Sequence, residues 1–114
     1  MSLDVYLISN ICTHCNREDE VYSANITHNL NKMAAAAGIY EYLWRPEEVG
    51  ATKAKQLVGP LSTGLDKLLS DPNTYTDKFS PPNGWGTYDQ LVKFVKDYVL
   101  ACERHPDAEI RVSR

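Results

Sequence analysis

The sequence predicts an α+β domain, a three-stranded, mainly antiparallel sheet with helices packed on one face, in the order β-β-α-α-α-β. Three observations predict it. Two short β-rich runs lie near the start, Asp4–Ser9 and Val21–Thr27. Helical apolar stripes fill the middle, and one alternating run, Ala108–Ser113, closes the chain. Helices on one face of such a sheet bury all these stripes at once.

Asp4-Val5-Tyr6-Leu7-Ile8-Ser9 is apolar and rich in β-branched and aromatic residues, so it reads as a strand with both faces partly covered. The polar run Asn10–Glu20 reads as a loop. Val21–Thr27 is a second strand with Tyr22, Ala24 and Ile26 on one face and Ser23, Asn25 and Thr27 on the other. Neighbouring strands joined in this way make an antiparallel hairpin.

Asn29 is an N-cap for a helix from Leu30, with Leu30, Met33, Ala34 and Ala37 on its inner stripe. Gly38 either ends that helix or bends it before Ile39–Trp44, and Pro46 stops it. From Thr52 to Ser70 the stripe Ala54, Leu57, Val58, Leu61, Leu65, Leu68 and Leu69 runs through Pro60, which predicts a kink or two abutting helices. Asp71–Gly86, punctuated by Pro72, Pro81, Pro82, Gly84 and Gly86, reads as irregular. Thr87-Tyr88-Asp89-Gln90 is a capping box for a helix to about Arg104, with Leu91, Phe94, Val95, Tyr98, Val99 and Cys102 inward. Pro106 ends it. Ile110 and Val112 then alternate with Glu109, Arg111 and Ser113. The sheet's edges stay open, which leaves room for a homo-oligomer.

With 114 residues, 43% hydrophobic and 24% charged, residues 1–114 make a single ordinary domain. The net charge of −3, without a basic stripe, argues against nucleic acid as a partner. No charged leader with an apolar run and no membrane-length apolar stretch occurs, so no membrane contact and a cytoplasmic location are expected. On that footing Asn25-Ile26-Thr27 is an incidental match to a glycosylation acceptor. The three cysteines are expected as thiols, ligands or core residues.

Cys12-Thr13-His14-Cys15 has the spacing of two zinc-binding thiolates, and Cys102 with His105 supplies the chemistry of a second pair. A last strand antiparallel to the first would bring this set together; one antiparallel to the second would place its start near His28. Against zinc, Cys102 lies on an apolar helix face as a core residue would, and His105 follows a helix end. A redox role fits less well, because Cys15 is followed by Asn16–Glu20 and a strand instead of a helix.

A second constellation is Asn25-Ile26-Thr27-His28-Asn29, where amide, hydroxyl and imidazole run into a helix N-terminus. These groups suit an anionic or amide-bearing ligand; a solvent-facing strand with Asn29 as a cap is the plainer alternative. The turn Pro81–Tyr88 adds Trp85 and Tyr88, a stacking platform or a plug on the core. Arg45 could grip a carboxylate or phosphate, or pair with Glu47 or Glu48. No nucleophile motif, P-loop or dinucleotide fingerprint is present, which lowers the odds of an enzyme.

The segments NITHNLNKMA, AGIYEYLWRPEE, PPNGWGTY and ACERHPDAEIRVSR resemble a family of uncharacterised small proteins encoded in bacterial and phage genomes. The resemblance covers nearly the whole chain after Val21 and includes Asn25, Thr27, His28, Asn29, Met33, Asn83, Gly84, Trp85, Gly86, Tyr88, Cys102 and Ser113. It implies one domain and a variable first loop, so that Cys12 and Cys15 belong to this member or a subset. It implies no activity.

The leading expectation is a non-enzymatic binding protein whose ligand, a small metabolite or nucleotide-like molecule, touches Asn25, Thr27, His28, Asn29, Arg45, Trp85 and Tyr88. The alternatives are a structural or protein-interaction domain with its first loop pinned by zinc on Cys12, Cys15, Cys102 and His105, and an enzyme using His28 as a base.

Overall fold

The structure, a computed structural model, describes residues 2–12, 17–79 and 86–114. Strand β1 (Ser2–Cys12) and strand β2 (Arg17–Thr27) form a long antiparallel hairpin. Helices α1 (Asn31–Ala36), α2 (Tyr40–Trp44), α3 (Lys55–Ser70), α4 (Pro72–Phe79) and α5 (Tyr88–Arg104) follow, and β3 (Glu109–Ser113) completes the sheet. The sheet order is β2-β1-β3 with both pairings antiparallel. The α+β class expected from the sequence is therefore observed.

Alternation along the strands sets the two faces. Leu3, Val5 and Leu7 on β1 pair with Ile26, Ala24 and Tyr22 on β2, and Val5 and Leu7 pair with Val112 and Ile110 on β3. Leu3, Val5 and Leu7 are fully buried. The core closes over them with Leu30, Met33, Leu57, Leu61, Leu68, Leu91, Val95 and Tyr98 from the helical stripes read from the sequence, joined by Ile39 and Leu43; Leu69, also on the expected stripe, is exposed instead.

Several local expectations are corrected. Of the polar run 10–20, the described residues are strand, since β1 reaches Cys12 and β2 begins at Arg17, and 13–16 lie outside the described residues; ladder pairing opposite Ile8–Cys12 overrides the poor strand propensity of Arg17–Glu20. Thr27, not Asn29, is the cap: its Oγ1 accepts from the Asn29 amide at 3.3 Å, and a 3₁₀ turn over His28–Leu30 precedes α1. Of the two readings of Gly38 the first is observed: at φ 79 it ends α1, and α2 follows as a separate short helix. Pro60 lies inside one uninterrupted helix and does not divide it in two. That helix starts at Lys55 because Thr52 and Lys53 are committed elsewhere: the Ile110 amide donates to Thr52 O at 3.0 Å, and Lys53 bridges Glu109. The outer side of β3 is thus partly covered, where both edges had been expected open.

The expected irregular stretch 71–86 contains α4. Asp71 caps it, accepting from the Thr74 amide at 3.3 Å and from Thr74 Oγ1 at 2.6 Å. Pro72 occupies the first helical position, where its missing amide costs nothing. These hydrogen bonds also hold the Asp71 carboxyl below its ordinary range. Asp71→Ala should lower the urea midpoint, and an unchanged midpoint would mean that α4 is held by its packing alone.

The capping box of α5 forms as expected: Gln90 N donates to Thr87 Oγ1 at 3.2 Å and Thr87 N to Gln90 Oε1 at 3.0 Å. Among the described residues, no helix is long and apolar enough to cross a membrane.

Candidate functional site

β2 is an edge strand, and α5 packs beneath it. Between the two lies a cavity of about 640 Å³, lined on the strand side by Tyr22, Ala24, Asn25, Ile26 and Thr27 and on the helix side by Gln90, Lys93, Phe94 and Asp97, with Gly86 at one end. Its floor is aromatic. Tyr22 stacks on the buried Tyr98 at 5.8 Å between centroids, and Phe94 meets Tyr98 edge-on at 6.0 Å. Gly86 is fitted to its place: at φ +107 it adopts a backbone that side chains rarely take, and a Cβ there would stand 2.8 Å from Thr27 Cγ2.

The rim is polar, and its side chains already have partners. Lys93 Nζ meets Asp97 Oδ2 at 2.6 Å, one helical turn apart. Asn25 Nδ2 donates to Asp4 Oδ1 at 2.6 Å and Ser2 Oγ at 2.8 Å, on the sheet face away from the helices. Thr27 is engaged as a cap and Gln90 in the capping box. Burial and the nearby Asp97 carboxylate push the Tyr22 hydroxyl above its ordinary pKa, so it stays a neutral donor at physiological pH.

Of the ligand residues expected from the sequence, Asn25 and Thr27 line this cavity. His28 does not: the 3₁₀ turn carries it to Trp44, with ring centroids 6.2 Å apart, and its Nε2 is buried without a hydrogen-bond partner. Asn29 is exposed beside it. Arg45 takes the ion-pair alternative, its Nη1 3.2 Å from Glu48 Oε2 and its Nε donating to Tyr40 OH at 3.4 Å, contacts that raise its pKa. Tyr88 serves the fold, donating from its hydroxyl to Leu68 O at 2.6 Å and tying α5 to the end of α3. Trp85 lies outside the described residues.

Cys15 also lies outside the described residues, and of Cys12 the structure describes the backbone, paired with Arg17. β3 runs antiparallel to β1 but begins opposite Ile8, four residues of strand short of Cys12, a span of roughly 13 Å. Cys102 is fully buried on the inner face of α5, where burial pushes its thiol up to about 12. His105 lies at the end of α5, close to Val21. Among the described residues no three His, Cys, Asp or Glu side chains gather into a metal site.

Reading by sequence missed Tyr22, Gln90, Lys93, Phe94 and Asp97. The spacing 90, 93, 94, 97 does mark one side of a helix, but nothing in the sequence shows that this side borders the edge of β2. No family model matches the chain, and no curated protein or solved structure matches it.

Proposed function

We propose that the chain is a small non-enzymatic binding protein whose ligand lies in the groove between β2 and α5. The observation that carries this reading is the cavity itself. Its volume falls within the range of sites that hold small ligands, and it combines an aromatic floor of Tyr22 and Phe94 with a polar rim. Catalysis has little to work with in the main cavity: among the described residues its titratable side chains are Tyr22, Lys93 and Asp97, of which the last two pair with each other. The site keeps Asn25 and Thr27 from the expected set and, in place of His28, Arg45 and Tyr88, takes Gln90, Lys93, Phe94 and Asp97.

Amide NMR spectra of the labelled chain, titrated with pools of metabolites, nucleotides and short peptides, test the reading. A true ligand shifts the amides of residues 22–27 and 90–97 together, and Phe94→Leu, which reshapes the floor while staying apolar, weakens it severalfold. Ligand-induced shifts confined to other regions would place the site elsewhere.

A further inference from the structure

The two edges of the sheet differ. On β3 the outer side is bridged by Lys53 and by the Ile110–Thr52 hydrogen bond, whereas β2 has no strand partner beyond β1 among the described residues. The groove beside β2 is also longer than the main cavity. A second hollow of about 260 Å³, lined by Val21, Leu100, Arg104 and His105, shares Tyr22 and Asp97 with the first. One trough therefore runs from Gly86 and Gln90 to Arg104 and His105. Residues 21–27 of β2 span about 20 Å, and residues 90–104 of α5 span about 21 Å. An open strand edge on one side and a parallel-running helix on the other give the trough the length of an extended segment of six or so residues.

The chemistry of the trough points the same way. Its polar side chains are engaged as described above: Lys93 with Asp97, Gln90 in the capping box, Thr27 as a cap, and Asn25 with Asp4 and Ser2 on the opposite sheet face. What remains to bond a ligand is the outward row of amides and carbonyls on β2, since alternate residues of an edge strand direct both groups away from the sheet. At the far end, Arg104 makes no ion pair among the described residues. Leu100 beside it is 43% exposed, a large apolar side chain left facing solvent.

Resting on the reading of this groove as the binding site, we propose that its occupant is an extended peptide segment of a partner protein that adds to β2 as a fourth strand. Alternate side chains of the segment are apolar and descend toward Tyr22, Ala24, Phe94 and Leu100. An acidic side chain at one end meets the Arg104 guanidinium. A compact small molecule would fill the wider cavity and leave both the β2 edge and Arg104 unused.

The test is a display library of C-terminally amidated peptides selected on the full chain, followed by titration of the selected sequences. The expected binders carry apolar residues at every second position and an aspartate or glutamate at one end, and they shift amides along 21–27. N-methylation of successive peptide bonds should weaken binding about tenfold at alternate positions and little at those between, because only alternate amides face β2. Arg104→Glu should cost about tenfold, and exchanging the peptide's acidic residue for lysine should restore the loss on that variant. A flat N-methyl scan, or no rescue by the exchange, would overturn the proposal. So would a metabolite or nucleotide that shifts the groove amides when no peptide does, although the groove would stand as the site. A concentration-dependent dimer with perturbed β2 amides would replace the peptide with a second copy of the chain. If no ligand of any class shifts the groove, both this proposal and the reading beneath it fail.

Discussion

Replacing Gly64 with alanine should destabilise the chain by about 3 kcal/mol, even though alanine is the better helix former by about 1 kcal/mol. Gly64 lies in α3 where the connection between α1 and α2 approaches it. An added Cβ would stand 2.0 Å from Ile39 Cγ2, 3.3 Å from Ile39 Cβ and 3.4 Å from Ala37 O. Ile39 is fully buried, so it cannot swing into solvent, and the two segments must separate instead. Urea denaturation of Gly64→Ala, Ile39→Ala and the double variant checks the cause. If the clash is responsible, the double variant loses far less than the sum of the singles. A Gly64→Ala chain as stable as its parent would mean that the two segments yield easily at this crossing.

The chain should also lose stability steeply in alkali. The thiol of Cys102 ordinarily titrates near 9, and burial raises it to about 12 in the fold. Because the folded value is the higher one, the unfolded chain releases this proton first. The thiol's contribution is complete below pH 9 and drains away as the pH climbs toward 12, by about 4 kcal/mol in all. Tyr98 adds to the slope above pH 10, since burial raises its hydroxyl well beyond the ordinary value of 10.0. Denaturation midpoints at pH 8, 9, 10 and 11 should fall progressively. Cys102→Ala, while less stable at every pH for want of the sulfur, should flatten the portion between pH 9 and 10. Constant midpoints up to pH 11 would show that the thiol ionises in place.

The elements legible in the sequence were those with a strong period. Tyr22, Ala24 and Ile26 of β2, the α5 stripe and all of the α3 stripe but Leu69 sit where alternation and helical spacing place them, whereas the first strand was read from Asp4 without its inward row of Leu3, Val5 and Leu7. Local hydrogen-bond chemistry was legible where both halves of the motif lie close together, as at Thr87 and Gln90. It was overlooked at Asp71-Pro72-Asn73-Thr74, where proline reads equally as a breaker and as a helix start. Gly64 illustrates what a single sequence hides: a glycine within a helical stripe carries no mark of the side chain that will press against it. The site was half legible for a related reason. Asn25 and Thr27 are on the right strand, but their sequence neighbour His28 is turned to Trp44, and their spatial neighbours Lys93, Phe94 and Asp97 come from a helix more than sixty residues along the chain.

The central position of β1 has a consequence for how the molecule is made. β1 lies far ahead of β3 along the chain, yet the two pair directly, Asp4 opposite Ser113. During translation the β1–β2 hairpin can form early, but the core that buries its apolar face, Leu3, Val5 and Leu7, also draws on Leu91, Val95 and Tyr98 of α5 and is incomplete until that helix has formed. The sheet itself closes only once Ser113 is free to pair with Asp4. A nascent chain that has not yet reached β3 is therefore sticky along β1, and a truncation that removes β3 would expose the Asp4–Ile8 edge of the first strand.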